Sequence, residues 1–296
     1  MIFVDGVGIG KRDPSVNPFF KYGFKTFEEL LGDVPSLENP TLNKGDIHLF
    51  PVDALLGVDK IPQSGTGQVS IFCGVNAPNL LGYHWGPFPP TSLLPIIEEK
   101  NLFKEFQLLG KQTAFTNAYP KVFFDYLKSG KKRISATSLS CLLSGIKLNG
   151  PKELRAGKAV SAEIDNSRWV NRLKYKLPII TPELAAKRLL KIAYNNTFTL
   201  YEYYLTDHLG HGRHAEYMSE WFGTLDRFLY YVLKNFDRDK LMVVICSDHG
   251  NLEDISIKMH TLNPALTITA GIKSGELSSK IKDLSDIKPS ILELFK

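Results

Sequence analysis

The sequence predicts an α/β fold, a three-layer sandwich with a mainly parallel central sheet and a small inserted lid. Three observations predict it. Short β-branched apolar runs alternate with stretches of helical periodicity. The runs are of the buried type, as expected of strands covered by helices on both faces. Only the stretch 120–180 leaves room for an insert, so the chain divides into a core of 1–119 and 181–296 and an insert or lid of 120–180.

The elements follow in order. Ile2-Phe3-Val4 reads as the first strand and ends at Asp5. Ser92 to Leu109 carries a helical pattern, and Lys111 to Thr116 reads as the next strand. Thr181-Pro182-Glu183 opens a helix with a threonine N-cap, a proline in the first turn and an early acid. Thr197 to Leu205 reads as a strand that ends at Thr206-Asp207. Glu216 to Asn235 has apolar positions at helical spacing. Leu241 to Ile245 is a buried-type strand that ends at Cys246-Ser247-Asp248, and Leu266 to Ile268 reads as a further strand.

Composition narrows the function. The 296 residues, 43% of them hydrophobic, suffice for one large domain, or a core with a small insert. The net charge is +5, with basic residues spread along the chain except for one cluster, Lys131, Lys132 and Arg133. A cluster this short reads as a solvated patch, so nucleic acid is not an expected partner. Cys73, Cys141 and Cys246 are far apart, odd in number and without CxxC spacing, which suits thiols in a reducing compartment. The opening Met1 to Asp5 lacks a basic n-region, and no apolar run approaches ~18 residues. The expectation is therefore a cytoplasmic protein with no membrane partner.

In parallel sheets, ligands bind beyond the carboxyl ends of the strands. Asp5, Asp207 and Asp248 each stand at such an end. Three carboxylates gathered on one rim are costly unless cations compensate them. The richest segment is Ser247-Asp248-His249-Gly250-Asn251-Leu252-Glu253-Asp254, where a carboxylate and an imidazole precede a glycine that permits a tight turn. Asp207-His208-Leu209-Gly210-His211 lies upstream of it, and His260-Thr261-Leu262-Asn263-Pro264 downstream. Any one of these histidines could be structural. Five of the seven histidines lie at or next to these segments, which makes a purely structural account of the set poor.

A second kind of segment is Pro62-Gln63-Ser64-Gly65-Thr66-Gly67-Gln68, leading into an apolar stretch. It reads as a loop entering a helix, whose free N–H groups and positive dipole end favour an anion. A serine held there against a metal would lose its proton more readily and become a nucleophile. Taken alone, the segment is equally a serine N-cap beside a glycine-rich turn.

Together, Asp5-Gly6-Val7-Gly8-Ile9-Gly10, the Ser64 loop, Asp207-x-x-x-His211, Asp248-His249-Gly250-Asn251 and His260-Thr261-x-Asn263-Pro264 resemble, in order and type, the metalloenzyme branch of the alkaline phosphatase superfamily. That branch includes cofactor-independent phosphoglycerate mutase and phosphopentomutase. The resemblance covers roughly residues 1–80 and 195–270. It implies that Asp5, Ser64, Asp248 and His249 hold one metal, that Asp207, His211 and His260 hold the other, and that Ser64 is transiently phosphorylated. Three aspartates and a serine alkoxide carry four negative charges, which two divalent ions balance. The mixed oxygen and nitrogen donors suit Mn²⁺ or Zn²⁺ better than Ca²⁺.

Two departures from the mutase pattern matter. Gly67-Gln68 stands where the mutases have Gly-His, which makes Thr66 an alternative nucleophile. A large cap domain has no room, since the insert over 120–180 is small. Its Lys131, Lys132, Arg133, Arg155, Lys158 and Arg168 could in part reach a substrate phosphate, and Arg213 and His214 are further candidates for substrate binding. The expected function is two-metal phosphoryl transfer through a phosphoserine, in a phosphatase or phosphodiesterase acting on a small phosphorylated substrate. A phosphomutase and a non-catalytic metal-binding protein are the alternatives. Self-association as a homo-oligomer is left open.

Overall fold

The computed structural model describes residues 1–131 and 133–295, so Lys132 of the basic cluster lies outside the described residues. Among the described residues nine strands form two sheets. They are β1 (Ile2–Val4), β2 (Leu42–Lys44), β3 (Ile47–Val52), β4 (Thr113–Phe115), β5 (Asn117–Ala118), β6 (Val160–Ser161), β7 (Phe198–Tyr203), β8 (Met242–Cys246) and β9 (Ala265–Gly271). The central sheet has seven strands in the order β2-β3-β9-β8-β1-β7-β4, and β5 pairs with β6 in a small second sheet.

The sheet is mixed but mostly parallel, in keeping with the mainly parallel sheet expected. Strands β4, β7, β1 and β8 run parallel. Beyond β8 each neighbour reverses, through β9, β3 and β2. Five of the seven strands still point the same way. The antiparallel half begins with a hairpin in which Lys44 pairs with Ile47 across Gly45-Asp46. Gly45 takes φ +62°, which a two-residue hairpin turn requires.

Alternation along the strands builds three layers. Ile2 and Val4 of β1 enter one core with Tyr201, Tyr203, Val243 and Ile245. Phe3 enters the opposite core with Phe198, Leu200, Val244 and Cys246. Helices Lys25–Leu30, Pro182–Ala193 and Met218–Asn235 cover the first face. Helices Ser64–Cys73, Leu94–Lys100, Leu102–Leu108, Ala136–Leu143 and Ile287–Glu293 cover the second. Helices on both faces of the sheet match the expected sandwich.

Several boundaries differ from the sequence reading. The helix expected over Ser92 to Leu109 is broken at Asn101, which is extended (φ −69°, ψ 154°) and accepts a hydrogen bond from Lys104 N. The broken helical periodicity is thus an N-cap signal. The helix expected from Glu216 starts at Met218, after a 3₁₀ turn over Ala215–Tyr217. Asp207 lies beyond the end of β7 at Tyr203, inside helix Leu205–Gly210. Within 120–180, helix Ala136–Leu143 packs into the second core through Ala136, Leu139 and Cys141. Ala118, Leu154, Ala159 and Trp169 form a small core of their own. All three cysteines are buried free thiols, and no described helix is long and apolar enough to cross a membrane.

Candidate metal centre

The carboxyl ends of β1, β7 and β8 meet at one rim. Asp5 follows β1, and its N–H donates to the carbonyl of Tyr203 at the end of β7 (2.9 Å). Gly6 then turns with φ +68°, and a Cβ there would sit 3.0 Å from Asp207 Oδ1. Glycine is therefore needed twice over, for its conformation and for the approach of Asp207. After β8 the chain places Asp248 and His249 fully inside, at 0% exposure. Asp248 Oδ1 accepts from Gly6 N (3.3 Å), and Ser247 Oγ accepts from Val7 N (2.8 Å), so the β1 and β8 turns are tied to each other.

Two groups of three side chains result. Donor atoms of Asp207, His211 and His260 all lie within 4.8 Å of one another, as do those of Asp5, Asp248 and His249. Asp207 Oδ1 is 3.3 Å from His211 Nε2 and 3.4 Å from His260 Nε2. His249 Nε2 is 3.4 Å from Asp5 Oδ1 and 3.5 Å from Asp248 Oδ2. The two groups adjoin, because the His249 and His260 rings stack with centroids 3.7 Å apart.

The donors fit cations. His211 Nδ1 faces the carbonyl of Lys258 (2.9 Å), and His260 Nδ1 faces that of Pro62 (2.7 Å). Each Nδ1 can only donate there, which leaves Nε2 as the free electron pair. Those two Nε2 atoms lie 3.2 Å apart, a repulsive contact between neutral imidazoles that a shared cation would relieve. Asp5 Oδ1 is buried with no hydrogen-bond partner. Burial first, then the neighbouring Asp248, Asp207 and Glu202 carboxylates, push the Asp5 carboxyl well above its usual range. Burial pushes the Asp207 carboxyl up too, but the His211 and His260 rings beside it outweigh this and hold the group low. This set of donors suits two small divalent ions, one for each group.

Ser64 is the first residue of helix Ser64–Cys73, and its Oγ lies 2.9 Å from His249 Nε2. The alternative nucleophile Thr66 faces elsewhere, since its Oγ1 is 3.2 Å from the carbonyl of Gln63 and 3.4 Å from that of Trp85. Gln68 Nε2 spans Asp5 Oδ2 (3.5 Å) and Asp248 Oδ2 (3.4 Å), while its Oε1 accepts from Ala136 N (3.3 Å). Arg213 is exposed and His214 half-buried, both just past His211. Trp85 and Phe88 are exposed, whereas Trp169 is buried.

Two further acids bear on the centre. Glu253 is buried and accepts from Gly8 N (2.8 Å), Asn251 N (2.8 Å), Thr261 Oγ1 (2.5 Å) and Asn263 Nδ2 (3.0 Å). It thus clamps the loops that carry Asp5, Asp248 and His260. Glu202, next to the last residue of β7, accepts from Thr137 Oγ1 (2.5 Å). Burial pushes its carboxyl up to about 7. A lone carboxylate in the apolar run Phe198 to Tyr203 is the signal that would have found it.

No curated protein matches the chain. The PH0037 protein from Pyrococcus horikoshii superposes with a TM-score of 0.57 at 12% identity, covering 99% of this chain and 95% of that one. Alkaline phosphatase from the Antarctic bacterium TAB5 superposes with a TM-score of 0.55 at 12% identity, covering 99% and 96%. A mutant of the TAB5 enzyme with Mg bound in its M3 site gives a TM-score of 0.52 at 11% identity, again covering 99% and 96%. These structures share the fold. A family model of the Metalloenzyme superfamily matches residues 1–296, from the first strand through the last turn. The chain therefore belongs to the Metalloenzyme superfamily.

Proposed function

We propose that the chain is a two-metal phosphoester hydrolase that works through a phosphoserine at Ser64. The observation that carries this reading is the hydroxyl of Ser64 set 2.9 Å from His249 Nε2, at a helix start and beside both groups of ligands. Asp5, Ser64, Asp248 and His249 would hold one ion, and Asp207, His211 and His260 the other, with Mn²⁺ or Zn²⁺ as the expected metal. Bound ions would lower the cost of ionising the serine and offset the charge of the transferring phosphoryl group.

The chain's own groups do the rest. The start of helix Ser64–Cys73 points its positive end at the phosphate. Thr66 N donates to the carbonyl of Trp85 (2.9 Å), which ties that loop to the helix start and takes this one amide out of the anion site. Gln68 steadies the Asp5 and Asp248 carboxylates. Ser64 Oγ attacks phosphorus, the P–O bond to the leaving alcohol breaks, and water then cleaves the phosphoserine to return the serine and inorganic phosphate. We propose Arg213 and His214 as substrate contacts, and the 120–180 segment as a small lid too short to keep water out.

The test is product analysis on a panel of phosphomonoesters and diesters. Release of inorganic phosphate supports the hydrolase. Isomerisation of a phosphorylated substrate with no phosphate released identifies a mutase instead. Metal binding without turnover of any phosphoester would leave a binding protein.

A further inference from the structure

Helix Leu205–Gly210 turns two faces outward beside the centre. Asp207 and His211, four residues apart, share the face that points at the metal ligands. Tyr204 and His208, also four apart, share the next face, about 100° around the helix. Their rings meet edge to face at 5.2 Å. This second face gathers positive charge. Arg168 Nη1 is 3.3 Å from the Tyr204 hydroxyl, and its guanidinium lies over the Trp221 ring at 5.6 Å. Arg213 N donates to the His208 carbonyl (2.8 Å), which fixes the backbone of the arginine at the end of the helix, and the His214 ring stands 6.4 Å from that of His208.

These cations are under-used. Among the described residues, neither Arg168 nor Arg213 has a carboxylate oxygen within 4 Å. A guanidinium has five N–H donors, and Arg168 uses one of them, toward Tyr204. His208 Nδ1 is buried with no hydrogen-bond partner. Packing alone would account for Arg168 stacked on Trp221. It does not account for a second unpaired arginine and an unpartnered imidazole nitrogen at the same place.

We propose that Arg168, Tyr204, His208 and Arg213 form an anion subsite beside the metal centre, and that the substrate is a phosphoester carrying a second anionic group. This rests on the phosphoester reading above. One anionic group would sit at Ser64, and the other would be met by the guanidinium forks, which suit phosphate and carboxylate oxygens.

The test is equilibrium binding to metal-loaded Ser64→Ala protein by calorimetry, with two probes that share a carbon skeleton, propyl phosphate and propane-1,3-diyl bisphosphate. The bisphosphate is expected to bind at least 10-fold more tightly. Adding Arg168→Ala should bring the ratio of the two dissociation constants close to one. Arg213→Ala, which truncates an exposed side chain, should reduce the ratio about threefold. Tight binding of both probes with equal affinity, or a ratio unmoved by either arginine variant, overturns the subsite while leaving the phosphoester reading intact. If neither probe binds, both readings fall.

Discussion

Ser64 Oγ and His249 Nε2 are 2.9 Å apart although 185 residues separate them in the chain. The serine comes from the start of a helix on one face of the sheet, the histidine from the turn after β8. Thr66, two residues on, is buried and bonded to backbone carbonyls instead. Ser64→Ala should lower kcat by at least about 1,000-fold while metal content is retained. Thr66→Val should stay within about 10-fold of the parent. Steady-state kinetics beside metal analysis checks both. Comparable losses at the two positions would contradict the assignment of the nucleophile.

Glu253 makes a structural prediction. Its carboxylate receives four donors from the loops that carry Asp5, Asp248 and His260. Removing it strands those donors in a dry interior, at about 1–3 kcal/mol each when left unpaired. Glu253→Ala should therefore cost at least about 3 kcal/mol of stability and weaken metal retention. Urea unfolding measures the first and metal analysis the second. A loss below about 1 kcal/mol with metal content intact would show that the loops hold their places without it.

Glu163 supplies a pH dependence away from the centre. Burial raises its carboxyl from 4.5 to about 7, with backbone hydrogen bonds only partly opposing this. The folded chain thus keeps a proton that the unfolded chain releases near its ordinary value. Stability from this group is present below pH 4.5 and is lost as pH rises toward 7, by about 3 kcal/mol in all. Glu163→Gln keeps the shape and an acceptor for Trp169 N, and removes the titration. Its melting temperature should exceed the parent's by several degrees at pH 8 and match it near pH 4.5. A constant difference across that range would contradict the assignment.

The sequence made the donor residues legible because their chemistry is unusual at strand ends. Aspartates that close apolar runs and a dense set of histidines point to one rim wherever the strands lie parallel, and β1, β7 and β8 do lie parallel. What stayed hidden depends on partners distant in sequence. The β2–β3 hairpin was missed because strand signals there are short and interrupted by Pro51. Asn101 looked like one residue within a helix, since only its backbone conformation reveals a cap. Glu253 sat in plain view beside His249, but its four donors come from loops that only the fold brings together. Arg168 read as one insert cation among several until Tyr204 and Trp221 were placed beside it.

The central claim is that these carboxylates and imidazoles gather because two dications neutralise them. Metal analysis of the purified chain after exposure to manganese or zinc, beside Asp207→Asn, tests it most directly. The account predicts two ions per chain in the parent and a fall to about one in the variant, with the parent's melting temperature raised by metal. A parent that holds no metal, with a melting temperature indifferent to it, would contradict the account.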